Sequence, residues 1–485
     1  MSLHNILTEN YVLITFSNTL TTLANYVFFF HIFFALVLSF NENYSLTSRA
    51  ASLVKLYFLT VVLIAILFFS IKFYLVALSQ LNLYSTGVLL SGSYFSEVLI
   101  LLALVITIVS WVYLSERYLY KNIFFLFYFF IFVVTTINMV YATNLLVMFI
   151  FFEFIFLPSL FFVYQFGYAK KVEKTIGFLL LWTLTGSFIA LFGILYIYGT
   201  LGSLEVADVT GASFTAAERN FLFLLFFIGF GIKIPLWPFH YWLTKVHVEA
   251  PTGFSIFLSG FLVKTAFFCF AYFYTLFVTP MLALVAASVI SWGFVDASIR
   301  MWSSTDIKRL IAFATIQEMN LIVIFLVLLG STNWLFLNLF LFVHGVLSAL
   351  LFYLVDNVQK RSQTRNLVTL SGFSFFMPKL HYIVWVAILI FRGFPFFIKF
   401  FIEWELLSIL YVNWGLVGCI LFAVVAVFGV LGFCRIWFSI LYGQPSENLE
   451  QSGDMLKKDW VLGVFLISIL FFVTQFMFLF KWLVF

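Results

Sequence analysis

Long apolar runs separated by short polar gaps set the architecture of this chain. Fourteen such runs lie near residues 11–40, 52–79, 93–114, 122–140, 145–166, 175–199, 220–245, 253–278, 280–300, 309–330, 333–356, 380–408, 412–441 and 460–484. A bilayer core about 30 Å thick takes about 20 apolar residues per helix, so each run is long enough to cross. The longest polar gaps, 200–219, 357–379 and 442–459, are about twenty residues each and leave no room for a soluble domain. The expected fold is all-α: a polytopic membrane protein of about fourteen transmembrane helices, with residues 1–485 forming a single membrane domain.

Composition and charge support this layout. Apolar residues make up 64% of the chain and charged residues 9%, far from the balance of a soluble domain. Lys and Arg collect in loops on the side of insertion. With fourteen helices, the odd-numbered loops hold sixteen basic residues and the even-numbered loops only Arg219. Removing or adding a central helix scrambles that asymmetry, and the pattern predicts both termini on the non-cytoplasmic side. The formal charge of +5 reflects these loops and gives no reason to expect nucleic acid. Cys269, Cys419 and Cys434 all fall inside apolar runs, without the spacing of a disulfide framework or a metal site. The opening MSLHNILTEN lacks the features of a cleaved signal or transit peptide, so insertion is expected to use the body of the protein. Phe occurs 71 times against 8 Pro, a skew towards A/T-rich codons that points to an organelle genome.

Two runs are interrupted. The seventh contains GIKIPLWP and the twelfth RGFPFF, with Pro395. Proline frees backbone carbonyls within a helix, and non-helical backbone at membrane depth is tolerated where it is buried in protein or lines a water-filled cavity. Broken segments at corresponding positions in two halves mark a transporter built from repeats. Five helices separate the two breaks, so they run in opposite directions. This predicts two inverted five-helix repeats: residues 122–278 (helices four to eight) and 280–441 (nine to thirteen), flanked by helices one to three (1–121) and a last helix (460–485).

Several apolar runs carry ionisable residues: Glu153, Lys233, Lys264, Glu318, His344 and Glu403. Each charge at mid-helix costs about 2.5–3.5 kcal/mol, which makes it a functional candidate by default. Lys264 lies too deep in its run to reach either surface. Opposite charges favour ionisation while burial opposes it, so paired groups change protonation when a partner moves. The order carboxylate, ammonium, ammonium, carboxylate, imidazole, carboxylate fits a proton relay. Glu153 with Lys233 also fits a structural salt bridge, and a lone His344 on an apolar face also suits a hydrogen-bonded core histidine. His240 and His247 are expected near an interface, and Asp356, Glu405 and Lys72 near segment ends. There is no dinucleotide-binding fingerprint, P-loop or iron–sulfur cysteine set.

These residues sit in recognisable motifs. KIPLWPFHYWLTKVHVEAPTGFSIFLSGFLVK at 233–264, with FFEFIFLP around Glu153, TDIKRLIAF at 305–313, HGVLSALLF at 344–352 and GFPFFIKFFIEW at 393–404, resembles the antiporter-like, proton-pumping membrane subunits of respiratory complex I, in particular the chain 4 branch. The resemblance spans helices four to twelve. It implies one proton channel in a membrane arm, no cofactor on this chain, and NADH, FMN, iron–sulfur clusters and ubiquinone on other subunits. Partners would include chain 2 and chain 5 type subunits, accessory subunits and lipids, in the mitochondrial inner membrane with both termini on the intermembrane-space side. By the same resemblance Glu153 pairs with Lys233, Lys233 passes protons to Lys264, His344 continues the line and Glu403 leads to the exit. The chain departs from the family pattern at Glu318, where relatives usually carry histidine, and at Asn320, usually glycine. Arg392 and Lys399 stand where small or uncharged residues are usual, and Thr244 and Lys245 replace a proline and an acid. Lys399 lies four residues before Glu403, and pairing between them would restrict Glu403 as an exchanging exit group. The alternatives are a subunit of a multisubunit cation/proton antiporter and a structural complex I subunit whose channel is inactive.

Overall fold

A computed structural model describes residues 65–66, 94–118, 124–166, 172–329, 334–444 and 453–484. These residues form α1 (Tyr94–Tyr118), α2 (Phe124–Val140), α3 (Leu145–Phe166), α4 (Val172–Leu201), α5 (Val206–Gly211), α6 (Ala216–Lys233), α7 (Tyr241–Glu249), α8 (Thr252–Phe277), α9 (Pro280–Ser303), α10 (Ile307–Leu329), α11 (Trp334–Ser362), α12 (Phe373–Phe376), α13 (Pro378–Phe391), α14 (Ile398–Leu441) and α15 (Lys457–Val484). Among the described residues nine helices are long and apolar enough to cross a membrane, and two shorter apolar helices accompany them. Twelve of the fourteen expected runs coincide with helices. The first run, and the second apart from residues 65–66, lie outside the described residues.

Helix ends follow local chemistry. Thr215 and Glu218 form a capping box: Thr215 Oγ1 accepts the Glu218 backbone N–H at 3.3 Å and Glu218 Oε2 accepts that of Thr215 at 2.8 Å. Asp306 Oδ1 accepts the N–H groups of Lys308 and Arg309 at the start of α10, satisfying two donors that a helix start leaves open.

Contacts divide the chain into two compact units. One gathers α1 to α3, the end of α4 from residue 191, and α5. Here Tyr141 donates its hydroxyl to Glu97 at 2.5 Å, and the fully buried Glu97 anchors α1 to α2. The other holds the start of α4 and everything from residue 215. Its centre is α8 and α10, whose most apolar windows are wholly buried, whereas only 22% of the corresponding windows of α14 and α15 is covered. Val412, Val417, Leu421 and Val424 of α14 face outward, as lipid contact requires. Phe226 and Phe230 of α6 stack on Phe273 of α8 with ring centroids 3.8 and 5.6 Å apart.

Both expected breaks are present. The first separates α6 from α7: Pro235 has a φ of 28°, Trp237–Pro238 is cis, and the freed Ile232 carbonyl accepts the Trp242 indole N–H at 2.7 Å. The second separates α13 from α14, with Gly393 at a φ of 64°. Gly415, at φ 66° and ψ −165°, breaks α14 between the twelfth and thirteenth expected helices.

Candidate functional site

Lys233 is the last residue of α6, buried where the first break begins. Glu153 lies half-buried on α3 in the other unit. Lys264 is fully buried on α8 and donates to the Ser259 carbonyl. That carbonyl is available because residues Leu258–Leu262 form a π-helical turn, which takes the backbone out of the ordinary i→i−4 ladder. The uninterrupted hydropathy of 253–278 gave no sign of this turn, although Ser259 and Gly260 sit at its centre. Ser259 Oγ reaches Thr315 Oγ1 on α10 at 3.0 Å, so the turn is tied to the neighbouring helix.

Further ionisable groups lie near this region. Glu318 on α10 lies within electrostatic reach of Lys264, and His344 on α11 within that of both Lys264 and Lys399. His344 is buried, and its Nδ1 has no hydrogen-bond partner among the described residues; the same holds for Glu318 Oε2, Asn320 Oδ1 and both side-chain polar atoms of Asn338.

The second break completes the row. Lys399 Nζ lies 2.8 Å from Glu318 Oε1 and 3.4 Å from Glu403 Oε1. It also donates to the Phe391 carbonyl and stands 4.4 Å from the centre of the Phe391 ring. The last carbonyls of a helix lack intrahelical partners and carry partial negative charge, so the end of α13 is a natural seat for this cation. Gly393 makes room for the carboxylate: a Cβ there would stand 2.5 Å from Glu403 Oε2. Arg392, the other unusual charge, is exposed.

Some residues are placed differently from expectation. Asp356 is buried and paired with Lys360 at 2.7 Å rather than facing a loop. His247, expected near an interface, is fully buried and stacks on Phe352 at 4.5 Å. Lys308, counted among loop cations, is buried and donates to the Ala250 carbonyl at 3.0 Å. Arg365 donates to the Val248 carbonyl and lies 3.7 Å from Asp306. Two cations thus hold the chain between α7 and α8. His240 meets Asp296 at 3.3 Å, a carboxylate shared with Arg300 at 2.7 Å. Only the pattern of acid and base four residues apart at Asp296 and Arg300 was available in the sequence to find that group.

A buried row of protonatable groups with both signs of charge can bind a proton at one member and release it at the next. Comparisons with known proteins place the chain in a family. Residues 142–430 match the family described as NADH:quinone oxidoreductase/Mrp antiporter, transmembrane. NADH-ubiquinone oxidoreductase chain 4 of Paramecium tetraurelia is 35% identical over 348 residues, 71% of this chain and 73% of that one. NADH-quinone oxidoreductase subunit M of Rickettsia bellii is 28% identical over 63% of each chain. Among solved structures, a chain of the Mrp complex from Dietzia sp. DQ12-45-1b shares the fold with a TM-score of 0.78 at 17% identity, over 96% of this chain and 95% of that one. A chain of an archaeal membrane-bound sulfane sulfur reductase does so with 0.70 at 18% identity, over 85% and 71%. On the matched 142–430 and the Paramecium relative together, this chain belongs to the NADH:quinone oxidoreductase/Mrp antiporter transmembrane family.

Proposed function

We propose that the chain is a proton-translocating membrane-arm subunit of respiratory complex I. It couples NADH:ubiquinone electron transfer in other subunits to proton movement across the mitochondrial inner membrane. The observation that carries this is Lys264: fully buried, held by a carbonyl that the π-helical turn releases, and within electrostatic reach of Glu318 and His344. An ammonium placed there serves little purpose unless its proton moves, since apolar packing would cost less. The redox groups, FMN, iron–sulfur clusters and ubiquinone, belong to other subunits, and chain 2 and chain 5 type subunits are its neighbours in the arm. Both termini face the intermembrane space.

In this scheme quinone reduction elsewhere alters the proton affinity of Lys233. Lys233 then hands a proton to Lys264, the line continues past His344 and Glu318, and Glu403 opens to the exit. Each charge moved against 100 mV requires about 2.3 kcal/mol. A cation/proton antiporter subunit is the second reading, favoured by the fold shared with the Dietzia Mrp chain; the relatives named chain 4 and subunit M support the first. Co-purification separates them. Isolation with flavin and iron–sulfur subunits and NADH oxidation is expected, and a complex without NADH oxidation overturns the complex I assignment. Within that complex, Lys264→Ala is expected to lower NADH-driven proton pumping sharply, and undiminished pumping would refute a working channel.

A further inference from the structure

We propose that Lys399 is a relay residue of the proton path, carrying protons from Glu318 to Glu403. The inference rests on the proton-translocating function above and assigns one of its steps to a single side chain. The geometry is that of a shared cation. Lys399 Nζ lies 2.8 Å from Glu318 Oε1 and 3.4 Å from Glu403 Oε1, so one ammonium spans the gap between two carboxylates on different helices. Side-chain exposure is 6% at Glu318, 2% at Lys399 and 30% at Glu403, leaving Glu403 the most accessible member.

Groups from five helices define the environment. Helix α10 supplies Glu318, α11 supplies His344, α13 the Phe391 carbonyl and ring, and α14 supplies Glu403. Helix α8 brings Lys264 within electrostatic reach of both Glu318 and His344. The direct contacts run from Glu318 through Lys399 to the partly exposed Glu403, and Lys399 occupies the bridging position.

The transfer balances as two steps. An Nζ–H bond of the Lys399 ammonium breaks and an O–H bond forms on the Glu403 carboxylate, leaving a neutral amine and a carboxylic acid. The amine then takes the proton of a Glu318 acid group that has been loaded from the Lys264 side. Lys399 returns to ammonium, Glu318 to carboxylate, and the net change is one proton moved from Glu318 to Glu403. Glu318 and Lys399 then act as one unit across two helices. A carboxylate on α10 needs a titratable cation opposite it to pass its proton on.

A salt bridge that merely locks the helices makes the opposite prediction for arginine. Guanidinium keeps the positive charge and the carboxylate contacts but does not release its proton in a protein. The experiment introduces Lys399→Arg into the assembled complex and compares proton pumping per NADH oxidised with wild type and with Lys264→Ala. The expected result is normal assembly with pumping reduced to the level of Lys264→Ala. Wild-type pumping in Lys399→Arg, alongside loss in Lys264→Ala, overturns the relay role and leaves the general function standing. Full pumping in Lys264→Ala removes the function itself. Should the larger arginine block assembly, Glu318→Gln with Lys399→Gln removes both charges while keeping polar groups in place. Loss of pumping in that assembled pair supports the relay, and wild-type pumping refutes it.

Discussion

Gly393→Ala offers a test worked directly from the second break. Gly393 has a φ of 64°, and a Cβ there would stand 2.5 Å from Glu403 Oε2. The left-handed backbone alone costs an L-residue about 1–2 kcal/mol. The larger effect is steric, because the approach is roughly 1 Å shorter than a normal contact of about 3.5 Å. The carboxylate must yield, and with it the 3.4 Å contact to Lys399. A misplacement of about 1 Å can slow a transfer step by about a hundredfold. Gly415→Ala is the control: its φ of 66° and ψ of −165° impose a backbone cost of about 1–3 kcal/mol, yet no described atom lies within 4 Å of the added Cβ. In the assembled complex, both substitutions should lower the half-inactivation temperature, and Gly393→Ala alone should reduce proton pumping per NADH. Unchanged pumping in Gly393→Ala, or an equal loss in Gly415→Ala, refutes the link between the break and the carboxylate.

Other expectations concern the basic loops and caps. Lys308→Met removes the charge-assisted hydrogen bond to the Ala250 carbonyl and should lower thermal stability by about 1.5–3 kcal/mol; an unchanged melting profile would show that Arg365 alone secures this turn. The Glu218 carboxyl is held below the usual carboxylate range by the Thr215 backbone N–H, with the Thr215 hydroxyl adding to it. A depressed folded-state pKa contributes stability above the unfolded value that is lost as pH falls through the folded value. Thermal midpoints followed on acidification should therefore fall more steeply in wild type than in Glu218→Gln, and parallel curves would refute the cap's role.

The breaks were legible in the sequence because proline and glycine act locally. GIKIPLWP marks the end of α6 and RGFPFF the end of α13 with few residues in doubt. Burial of Lys264, Glu318 and His344 was equally legible, since a window of apolar neighbours is itself the signal. Partnerships between distant residues were not. Glu318 meets Lys399 across 81 positions, and Lys308 meets Ala250 across 58. Hydropathy reports how much apolar surface a segment carries, not which face it turns to which neighbour. That is why Asp356 read as a segment-end charge and Lys308 as a loop charge, although the bundle encloses both. The π-helical turn was hidden for a related reason: one extra residue in a turn leaves the apolar run unbroken while it turns the Ser259 carbonyl to Lys264.

Thr474 on α15 accepts the backbone N–H of Ile398 at 3.1 Å through its hydroxyl. Ile398 opens α14 immediately before Lys399, so one of the donors stranded by the second break is satisfied only from a helix 76 residues later. A ribosome emits residues in order, and the twelfth helix reaches the membrane well before its partner exists. Until α15 is made, the Ile398 N–H lacks the hydroxyl that accepts it in the folded chain. The start of α14, which carries Lys399, is therefore held in place by a segment synthesised 76 residues after it.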